Sequence, residues 1–337
     1  MMMLAPLPSV ATLQSRFSSP AEMTKEYVFR RAPFRQCHAS TIVQTRAGTL
    51  VTAWFGGTKE GDPDVDIYVS RLTTEAQRTK PMPSATRSAK GRRAQGRSVV
   101  EGGDASWSAP MEVADGNVGG ESREPCYNPV LFQPANGPLL LFYHIGKPQS
   151  WRGYLKTSAD DGQTWSTPRR LPDGILGPVK DKPLALPDGT LLCGASEETP
   201  TGRQIHFERT GAQGLNWSKT VGLSDPSVQA IQPTILPLGR DRLRAIGRTA
   251  KGRVFAIDST DEGLTWGPLH LLDVPNPNSG IDATRLRDGR YLLVYNPTTK
   301  GRSPLSVAIS SDAEHWTRAL DLETEPGEYS YPAVIQT

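Results

Sequence analysis

The chain has 337 residues and a formal net charge of +3, with 36% of residues hydrophobic and 22% charged. Its 32 glycines and 29 prolines make up about 18% of the chain, against roughly 12% in an ordinary protein. This excess predicts many turns and short strands, and it disfavours a protein of long helices. The hydrophobic fraction argues against wholesale disorder, and no apolar run approaches the ~20 residues that span a bilayer. We therefore expect a soluble, turn-rich protein.

Residues 1–25 form a segment distinct from the rest of the chain. The stretch from Met1 to Ala21 contains one arginine, several serines and no acidic residue. This composition is typical of a disordered leader or a weak organelle-targeting segment, and it lacks the basic-then-apolar order of a secretory signal. We expect an intracellular rather than a secreted protein.

A basic, low-complexity insertion is predicted over residues 76–105. Seven basic residues and no acidic residue lie between Ala76 and Val100. A segment that binds nucleic acid interleaves such charges with aromatic side chains that stack on bases, and this stretch contains no aromatic residue. We interpret it as a solvated loop and expect no nucleic-acid partner.

The cysteine content argues against a disulfide framework and against a zinc site. Cys37, Cys126 and Cys193 are odd in number and form no CxxC pair, so neither full pairing nor a zinc-ligand spacing is available. The chain also lacks a phosphate-binding loop and a dinucleotide fingerprint. We predict three reduced, buried thiols, no metal and no required cofactor.

A repeat organises the chain from residue 39 onwards. One unit has a polar start, then Pro or Ala, an apolar run, a turn and a second apolar run. The anchor positions are 39, 129, 183, 233, 283 and 332, so the spacings after the first are 54, 50, 50 and 49. The first spacing, 90, is longer by about the size of the basic insertion. Four-stranded units of this length, closed radially, indicate a β-propeller.

A second motif has the same period. The pattern Ser-x-Asp-x-Gly-x-Thr-Trp, an Asp-box, occurs at 158–165 and 259–266, with decayed copies at 105–107, 210–217 and 310–316. Its Asp accepts hydrogen bonds from the turn backbone, its Gly tolerates positive φ, and its Trp packs the hairpin onto the blade. We interpret these motifs as folding devices on the outer face, and not as a calcium or catalytic site.

The predicted fold is all-β: a six-bladed β-propeller over residues 26–337, with an incomplete last blade. Six anchor positions predict six blades. The sixth copy starts at Tyr331 and contains a single strand before residue 337. A propeller usually closes by adding an N-terminal strand to its last blade, and we expect the segment from Glu26 to Arg31 to serve as that strand.

Polar residues open the innermost strand of each predicted blade. These strands run beside the central axis, so their first residues converge at one mouth. The mouth is cationic, which suits an anionic ligand, and arginine offers a planar fork that matches a carboxylate. The predicted mouth residues are Arg35, His38, Asn128, Lys180, Lys182, Gln232, Asp282, Tyr329 and Tyr331.

The Asp-box repeats together with Phe34-Arg35 resemble the sialidase (neuraminidase) superfamily, and more closely its BNR-repeat members. The resemblance spans residues 26–337 outside the insertion. In that family three arginines clamp the substrate carboxylate, and the resemblance assigns this role to Arg35, Arg248 and Arg302. Gln36-Cys37 stands where the family motif has Ile-Pro. His38, Asn128, Lys182, Gln232 and Asp282 are further candidate substrate-binding residues.

The resemblance also implies catalytic residues. The family acid/base is an Asp on a loop before a strand that ends in Arg; Asp62 matches it best, with Asp64 second. The family nucleophile is a Tyr in a Tyr-Ser context, which Tyr329 matches. Family members activate this Tyr with a Glu, but the corresponding residue here is Gln232, which cannot accept the phenol proton. The candidate replacements are Glu197, Glu198 and Glu328.

Three functions remain open at this point. The first is a retaining exo-glycosidase that hydrolyses a terminal sialic acid or a related acidic sugar, with Asp62 as acid/base and Tyr329 as nucleophile. The second is a hydrolase or lyase on another acidic sugar that uses His38, Lys182 and Tyr329 in other roles. The third is a non-catalytic propeller that binds acidic glycans. All three imply an acidic glycan or glycoconjugate as partner, and we expect a monomer without a membrane span.

Overall fold

The computed structural model describes residues 24–74, 105–117, 119, 123–200 and 202–337. Residues 1–23 of the predicted leader and 75–104 of the basic insertion lie outside this description. In the described part, the strands pair antiparallel with their neighbours in the chain and form five sheets. Each sheet is one blade of a propeller, with its first strand innermost.

The first blade contains β1 (Gln36–Gln44), β2 (Leu50–Gly57), β3 (Asp66–Thr74), β4 (Ala105–Trp107) and β5 (Met111–Ala114), of which β4 and β5 both pair with β3. The second contains β6 (Cys126–Phe132), β7 (Leu139–Ile145), β8 (Arg152–Ser158) and β9 (Arg169–Arg170). The third contains β10 (Leu184–Ala185), β11 (Leu191–Thr199), β12 (Gly202–Thr210) and β13 (Trp217–Lys219). The fourth contains β14 (Ala230–Pro237), β15 (Leu243–Thr249), β16 (Arg253–Ser259) and β17 (His270–Pro275). The fifth contains β18 (Asp282–Arg285), β19 (Tyr291–Tyr295), β20 (Leu305–Ser310) and β21 (Thr317–Glu323).

The hydrophobic core lies between neighbouring blades. Every residue of β7 is buried, as expected for a short, continuously apolar strand that is covered on both faces. Leu141 and Tyr143 of this strand share one core cluster with Phe55 and Ile67 of the first blade. The inter-blade packing brings the inner strands side by side around the axis, where the mouth residues start.

The Asp-boxes fold as the motif predicts. Asp160 Oδ1 accepts hydrogen bonds from the Ser158 hydroxyl and the Thr164 amide, both at 2.8 Å. The Ser158 hydroxyl oxygen in turn accepts the Gly162 amide at 2.8 Å. The copy at 259–266 repeats all three bonds. Side-chain oxygens thereby satisfy the backbone donors of the tight turn.

The tryptophans of these hairpins pack against the preceding blade, whereas the sequence predicted contact with their own. Trp266 of the fourth blade stacks on Phe207 of the third, with ring centroids 3.7 Å apart and planes at 12°. The turn approaches its neighbour so closely that a Cβ on Gly263 (φ +83°) would lie 2.6 Å from Leu192 Cδ2. The Asp-box therefore joins adjacent blades as well as closing a turn.

The prediction of six blades is wrong for the described residues, which form five. The segment from Tyr331 to Thr337 lies between the first and fifth blades, where a sixth inner strand belongs: Ser40 Oγ donates to the Tyr331 carbonyl (3.2 Å) and the Val334 amide donates to Asp282 Oδ2 (2.7 Å). It pairs with no strand of the described part, because its contacts there run through side chains and offer no continuous backbone ladder.

Two smaller expectations are also corrected. The segment from Glu26 to Arg31 is irregular and not a strand; Phe29 within it packs on Trp54 with ring centroids 5.0 Å apart. Cys126 and Cys193 are buried, free thiols as predicted, but Cys37 is exposed because it lies at the start of β1, at the mouth and outside the core. No helix among the residues that the structure describes has the length and apolarity to cross a membrane.

Candidate active site

The mouth of the propeller is built on a recurring backbone irregularity. Strands β1, β6 and β14 each carry a shift in ladder register near the mouth. The residues at these shifts, Ala39, Asn128 and Gln232, have φ values of 53°, 43° and 54°, which are uncommon for residues other than glycine. Tyr331 has φ 54° in the corresponding repeat position. Bulges of this kind re-aim side chains and cluster near functional sites.

Two adjoining cavities open at this mouth. The larger has a volume of about 560 Å³ and is lined in part by Arg35, His38, Phe55, Glu60, Arg302, Glu328 and Tyr331. The smaller has a volume of about 180 Å³ and is lined in part by Glu60, Asn128, Trp151, Glu198, Arg203, Gln232, Arg248 and Tyr331. Both Glu60 and Tyr331 line both cavities. The larger one has the size of a small-molecule site.

Tyr331 stands at the junction of the two cavities, between two guanidinium groups. Its hydroxyl accepts a hydrogen bond from Arg248 Nη1 at 2.8 Å. The central guanidinium carbons of Arg248 and Arg302 each lie 5.7 Å from the centroid of its ring, within cation–π distance. The His38 ring meets it edge-on, with centroids 4.5 Å apart. The phenol therefore faces a positive environment.

Arg248 is held by a polar network in the fourth blade. Its side chain is buried, and its Nε donates to Asn278 Oδ1 (3.0 Å) while Nη1 donates to Gln232 Oε1 (3.3 Å). Arg203 donates to the same Asn278 oxygen at 3.3 Å. Arg248 Nη1, the atom that donates to the Tyr331 hydroxyl, thus has the amide oxygen of Gln232 as its other acceptor and not a carboxylate. Gln232, where the sequence departs from the family pattern, shares Arg248 Nη1 with Tyr331, which is not the tyrosine predicted as nucleophile.

The larger cavity combines two arginines, a neutral histidine and two carboxylates. Arg302 pairs with Glu328 Oε1 at 2.7 Å, and Arg35 lines the same cavity. Burial lowers the pKa of His38; the charge of Glu60 opposes this effect, and the charge of Arg302 adds to it. Its imidazole is therefore predominantly neutral at pH 7. Such a site can bind an anion and accept a proton.

The two predicted acid/base candidates, Asp62 and Asp64, do not line either cavity. The Asp64 carboxylate accepts the Thr58 hydroxyl (2.6 Å) and amide, and the Thr58 hydroxyl bond lowers its pKa. Asp62 lies half-buried on the same loop and lines neither cavity. Asp66 begins β3 and pairs with Arg123; burial raises its pKa to about 6. On this loop it is Glu60 that reaches both cavities.

Some of the other predicted site residues line a cavity and some do not. His38 and Arg35 line the larger cavity, and Asn128, Gln232 and Arg248 line the smaller one. Lys182 and Asp282 are instead paired with each other at 2.8 Å and line neither cavity. The ring of Tyr329 folds back over Gly327, to which it is close enough that an added Cβ would lie 3.2 Å from Tyr329 Cζ.

Sequence reasoning missed Glu60 and Arg203 as cavity-lining residues, and it placed Tyr331 at the mouth but chose Tyr329 as the nucleophile. The signal for Tyr331 was present, because Tyr331-Pro332 repeats Asn128-Pro129 and Gln232-Pro233 at the same register. No comparable signal separates Glu60 from the aspartates that follow it. In the part of the chain that the structure describes, no cluster of three or more His, Cys, Asp or Glu residues has the arrangement to hold a metal ion.

Comparison with known proteins supports the same fold. A family model described as a BNR repeat-like domain matches residues 48–337. The Hadza microbial sialidase Hz136 superposes with a TM-score of 0.66 at 15% identity, covering 87% of this chain and 59% of that chain. The NanB sialidase from Streptococcus pneumoniae superposes with a TM-score of 0.66 at 12% identity, covering 92% of this chain and 65% of that chain.

A protein of unknown function from Dyadobacter fermentans superposes with a TM-score of 0.66 at 16% identity, covering 89% of this chain and 88% of that chain. Identities this low establish a common fold and nothing finer. The chain spans less than two thirds of the length of the two sialidases. No curated protein matches the sequence.

Proposed function

This chain belongs to the BNR repeat-like domain family and has the propeller fold of the sialidases, and on that premise we propose that it is a glycosidase that removes a terminal acidic sugar from a glycan. A sialic acid is the substrate that fits best. The observation that carries the proposal is the position of Tyr331, between the guanidinium groups of Arg248 and Arg302 in an open cavity. This arrangement suits a sugar that bears its own carboxylate.

The three arginines provide the proposed carboxylate grip. Arg35 and Arg302 line the larger cavity, and Arg248 approaches from the smaller one across Tyr331. A bidentate guanidinium–carboxylate contact is among the stronger charge-assisted hydrogen bonds. Because the substrate is anionic, a neutral tyrosine serves as nucleophile where a carboxylate would be repelled, as in the sialidase exception to two-carboxylate catalysis.

The proposed reaction proceeds in two displacements. Tyr331 Oη attacks the anomeric carbon while its phenol proton passes to neutral His38, whose ring lies beside it; the bond from that carbon to the leaving oxygen breaks, and the departing oxygen takes a proton from Glu60. Water then attacks the same carbon and gives a proton to Glu60, and the tyrosyl oxygen leaves and takes its proton back from His38, so the configuration is retained. We assign the acid/base role to Glu60 instead of Asp62 or Asp64 because Glu60 lines both cavities.

A second candidate function, a lyase for uronic-acid glycans, is favoured by one specific observation. The ring centroids of Tyr331 and His38 are 4.5 Å apart. Arg248 Nη1, which donates to the Tyr331 hydroxyl, also donates to the amide oxygen of Gln232 and not to a carboxylate base. In this reaction neutral His38 removes the proton α to the sugar carboxylate. The resulting electron pair forms a carbon–carbon double bond and expels the β-oxygen, which takes a proton from Tyr331. The arginines stabilise the charge that develops on the carboxylate.

Turnover assays on two substrate classes separate these functions. For the glycosidase, 4-methylumbelliferyl sialoside should release the fluorophore, and Tyr331→Phe should lower kcat at least ~100-fold. If the protein is a lyase, it should release no fluorophore from the sialoside. It should instead form an unsaturated uronate product from a polyuronate, and the variant His38→Gln should not form this product. Saturable sialic-acid binding without turnover on either class supports a binding propeller instead.

The matched variant for the tyrosine assignment is Tyr329→Phe, only two residues away. Turnover that survives Tyr331→Phe but is lost in Tyr329→Phe contradicts the assignment of the nucleophile. Glu60→Gln and Asp62→Asn test the acid/base in the same way. A sialoside with a good leaving group needs little protonation, so the loss in Glu60→Gln should be largest for a natural glycan.

A further inference from the structure

Two lysine–aspartate pairs lie at the axis of the propeller, outside both cavities. Lys180 Nζ contacts Asp181 Oδ1 at 2.7 Å, and the two side chains are each 1% exposed. Lys182 Nζ contacts Asp282 Oδ1 at 2.8 Å, with Asp282 almost fully buried. Removing charges from water costs several kcal/mol per ion even when they are paired. Buried pairs of this kind call for an explanation beyond stability.

The first pair binds the backbone directly after Tyr331. Lys180 Nζ has three donors, and these go to Asp181 Oδ1, the Ile281 carbonyl and the Pro332 carbonyl, the last at 2.7 Å. Asp181 itself lines neither cavity. The ammonium therefore fixes the peptide next to the tyrosine against the start of the fifth blade.

The second pair binds the same segment two residues further on. Asp282 Oδ2 accepts the Val334 amide at 2.7 Å, while its Oδ1 accepts Lys182 Nζ and the Ala283 amide, both at 2.8 Å. The two pairs thus anchor the same chain segment at two nearby residues, 332 and 334. We call Lys180, Asp181, Lys182 and Asp282 the axial clamp.

The segment that the clamp holds has no sheet of its own among the described strands. Tyr331 also has φ 54°, a backbone conformation that persists only where its surroundings enforce it. Gly280 leaves room for its ring: a Cβ there would lie 2.9 Å from Tyr331 Cδ1 and 3.3 Å from Lys180 Cε. Asn128 and Gln232 have the same conformation, but the strand residues on both sides of them are paired in ladders, whereas Tyr331 has no such ladder beside it in the described part, so something else must act there.

We propose that the axial clamp is the positioning device for Tyr331: it substitutes for the missing ladder and holds the phenol between Arg248 and Arg302. Lys180 and Asp282 are then positioning residues that touch no substrate. The clamp itself is inferred from geometry alone, and only its effect on turnover rests on the proposed function. Near-attack geometry is sensitive to shifts of about 1 Å, which cost up to ~100-fold in rate.

The test combines hydrogen exchange with kinetics in Asp282→Ala and in a surface control. The control is Lys219→Met, whose ammonium also donates to a carbonyl, that of Gly174, at 2.7 Å on the exposed surface. In Asp282→Ala we expect amide exchange over 333–337 to accelerate at least ~10-fold with exchange in β15 unchanged. We expect kcat to fall ~10- to 100-fold with a smaller change in KM. The control should alter neither.

Several outcomes overturn the proposal. Unchanged exchange over 333–337 in Asp282→Ala means that the segment is held by other contacts. Faster exchange with unaltered kcat means that Tyr331 does not depend on the clamp. If Asp282→Ala does not fold, Asp282→Asn, which keeps an acceptor for Val334 but loses the charge, and Lys180→Arg must show a graded form of both effects. If the wild-type protein has no turnover, the proposed function fails, while the exchange result still decides on the clamp.

Discussion

Protonation of a single buried histidine should dominate the acid sensitivity of the second blade. His144 is fully buried, donates from Nε2 to the Leu176 carbonyl (3.0 Å) and stacks on Trp151, a residue of the smaller cavity. Burial lowers its pKa from 6.5 to about 4. The folded state therefore binds a proton at His144 less readily than the unfolded state does. The resulting contribution to the unfolding free energy is fully present above pH 6.5 and is lost as the pH falls towards 4.

The magnitude follows from these two pKa values. The full gap corresponds to ~3 kcal/mol of unfolding free energy, of which ~2 kcal/mol is lost between pH 7 and pH 5. The variant His144→Gln keeps an amide donor for the Leu176 carbonyl but cannot titrate in this range. The unfolding free energy, measured with urea at pH 7 and at pH 5, should fall between these pH values by ~2 kcal/mol less in the variant than in the wild type.

The control for this experiment is His315→Gln. His315 is exposed on an outer hairpin, and its hydrogen bond to Asp312 raises its pKa. Its stabilising effect is therefore present at low pH and is lost as the pH rises, the opposite sign to that of His144. Equal losses of stability between pH 7 and pH 5 in wild type and His144→Gln would refute the reasoning.

Three further predictions test the site and the scaffold. Gln232→Glu places a carboxylate next to Arg248 and Tyr331 and should raise sialoside kcat ~10-fold; an unchanged or lower kcat contradicts the nucleophile assignment. Asp160→Ala removes the Asp-box acceptor and should lower the unfolding free energy by ~1–3 kcal/mol without altering KM, as measured by urea unfolding and kinetics. Iodoacetamide should label one native thiol, the cavity-lining Cys37, more slowly with free sialic acid present; equal rates would place the ligand elsewhere.

The repeat architecture was predictable because it rests on local patterns. Turn residues and apolar runs recur at a fixed spacing, and the hydrogen bonds of an Asp-box such as 158–165 stay within eight residues. The convergence of His38, Asn128 and Gln232 at the mouth also follows from the repeat, since ring closure brings equivalent positions together. The number of blades was not predictable in this way, because an anchor position indicates an inner strand but not the partners that it needs to form a sheet.

Side-chain direction at the site was decided by tertiary contacts. Tyr329 and Tyr331 are two residues apart and equally polar, yet only Tyr331 enters the cavities, because Lys180 and Asp282 hold the chain that follows it. Lys182 and Asp282, both predicted to bind substrate, lie 100 residues apart in the chain and neutralise each other across the axis.

The amino-acid sequence alone therefore determined the fold class, the outer hairpins and the cationic character of the mouth, all of which depend on residue type and spacing. The tertiary structure decided which tyrosine and which acidic residue line the cavities. The physical reason is that the orientation of a polar side chain depends on which distant donors and acceptors reach it, and a blade-to-blade contact brings these from parts of the chain that no local pattern connects.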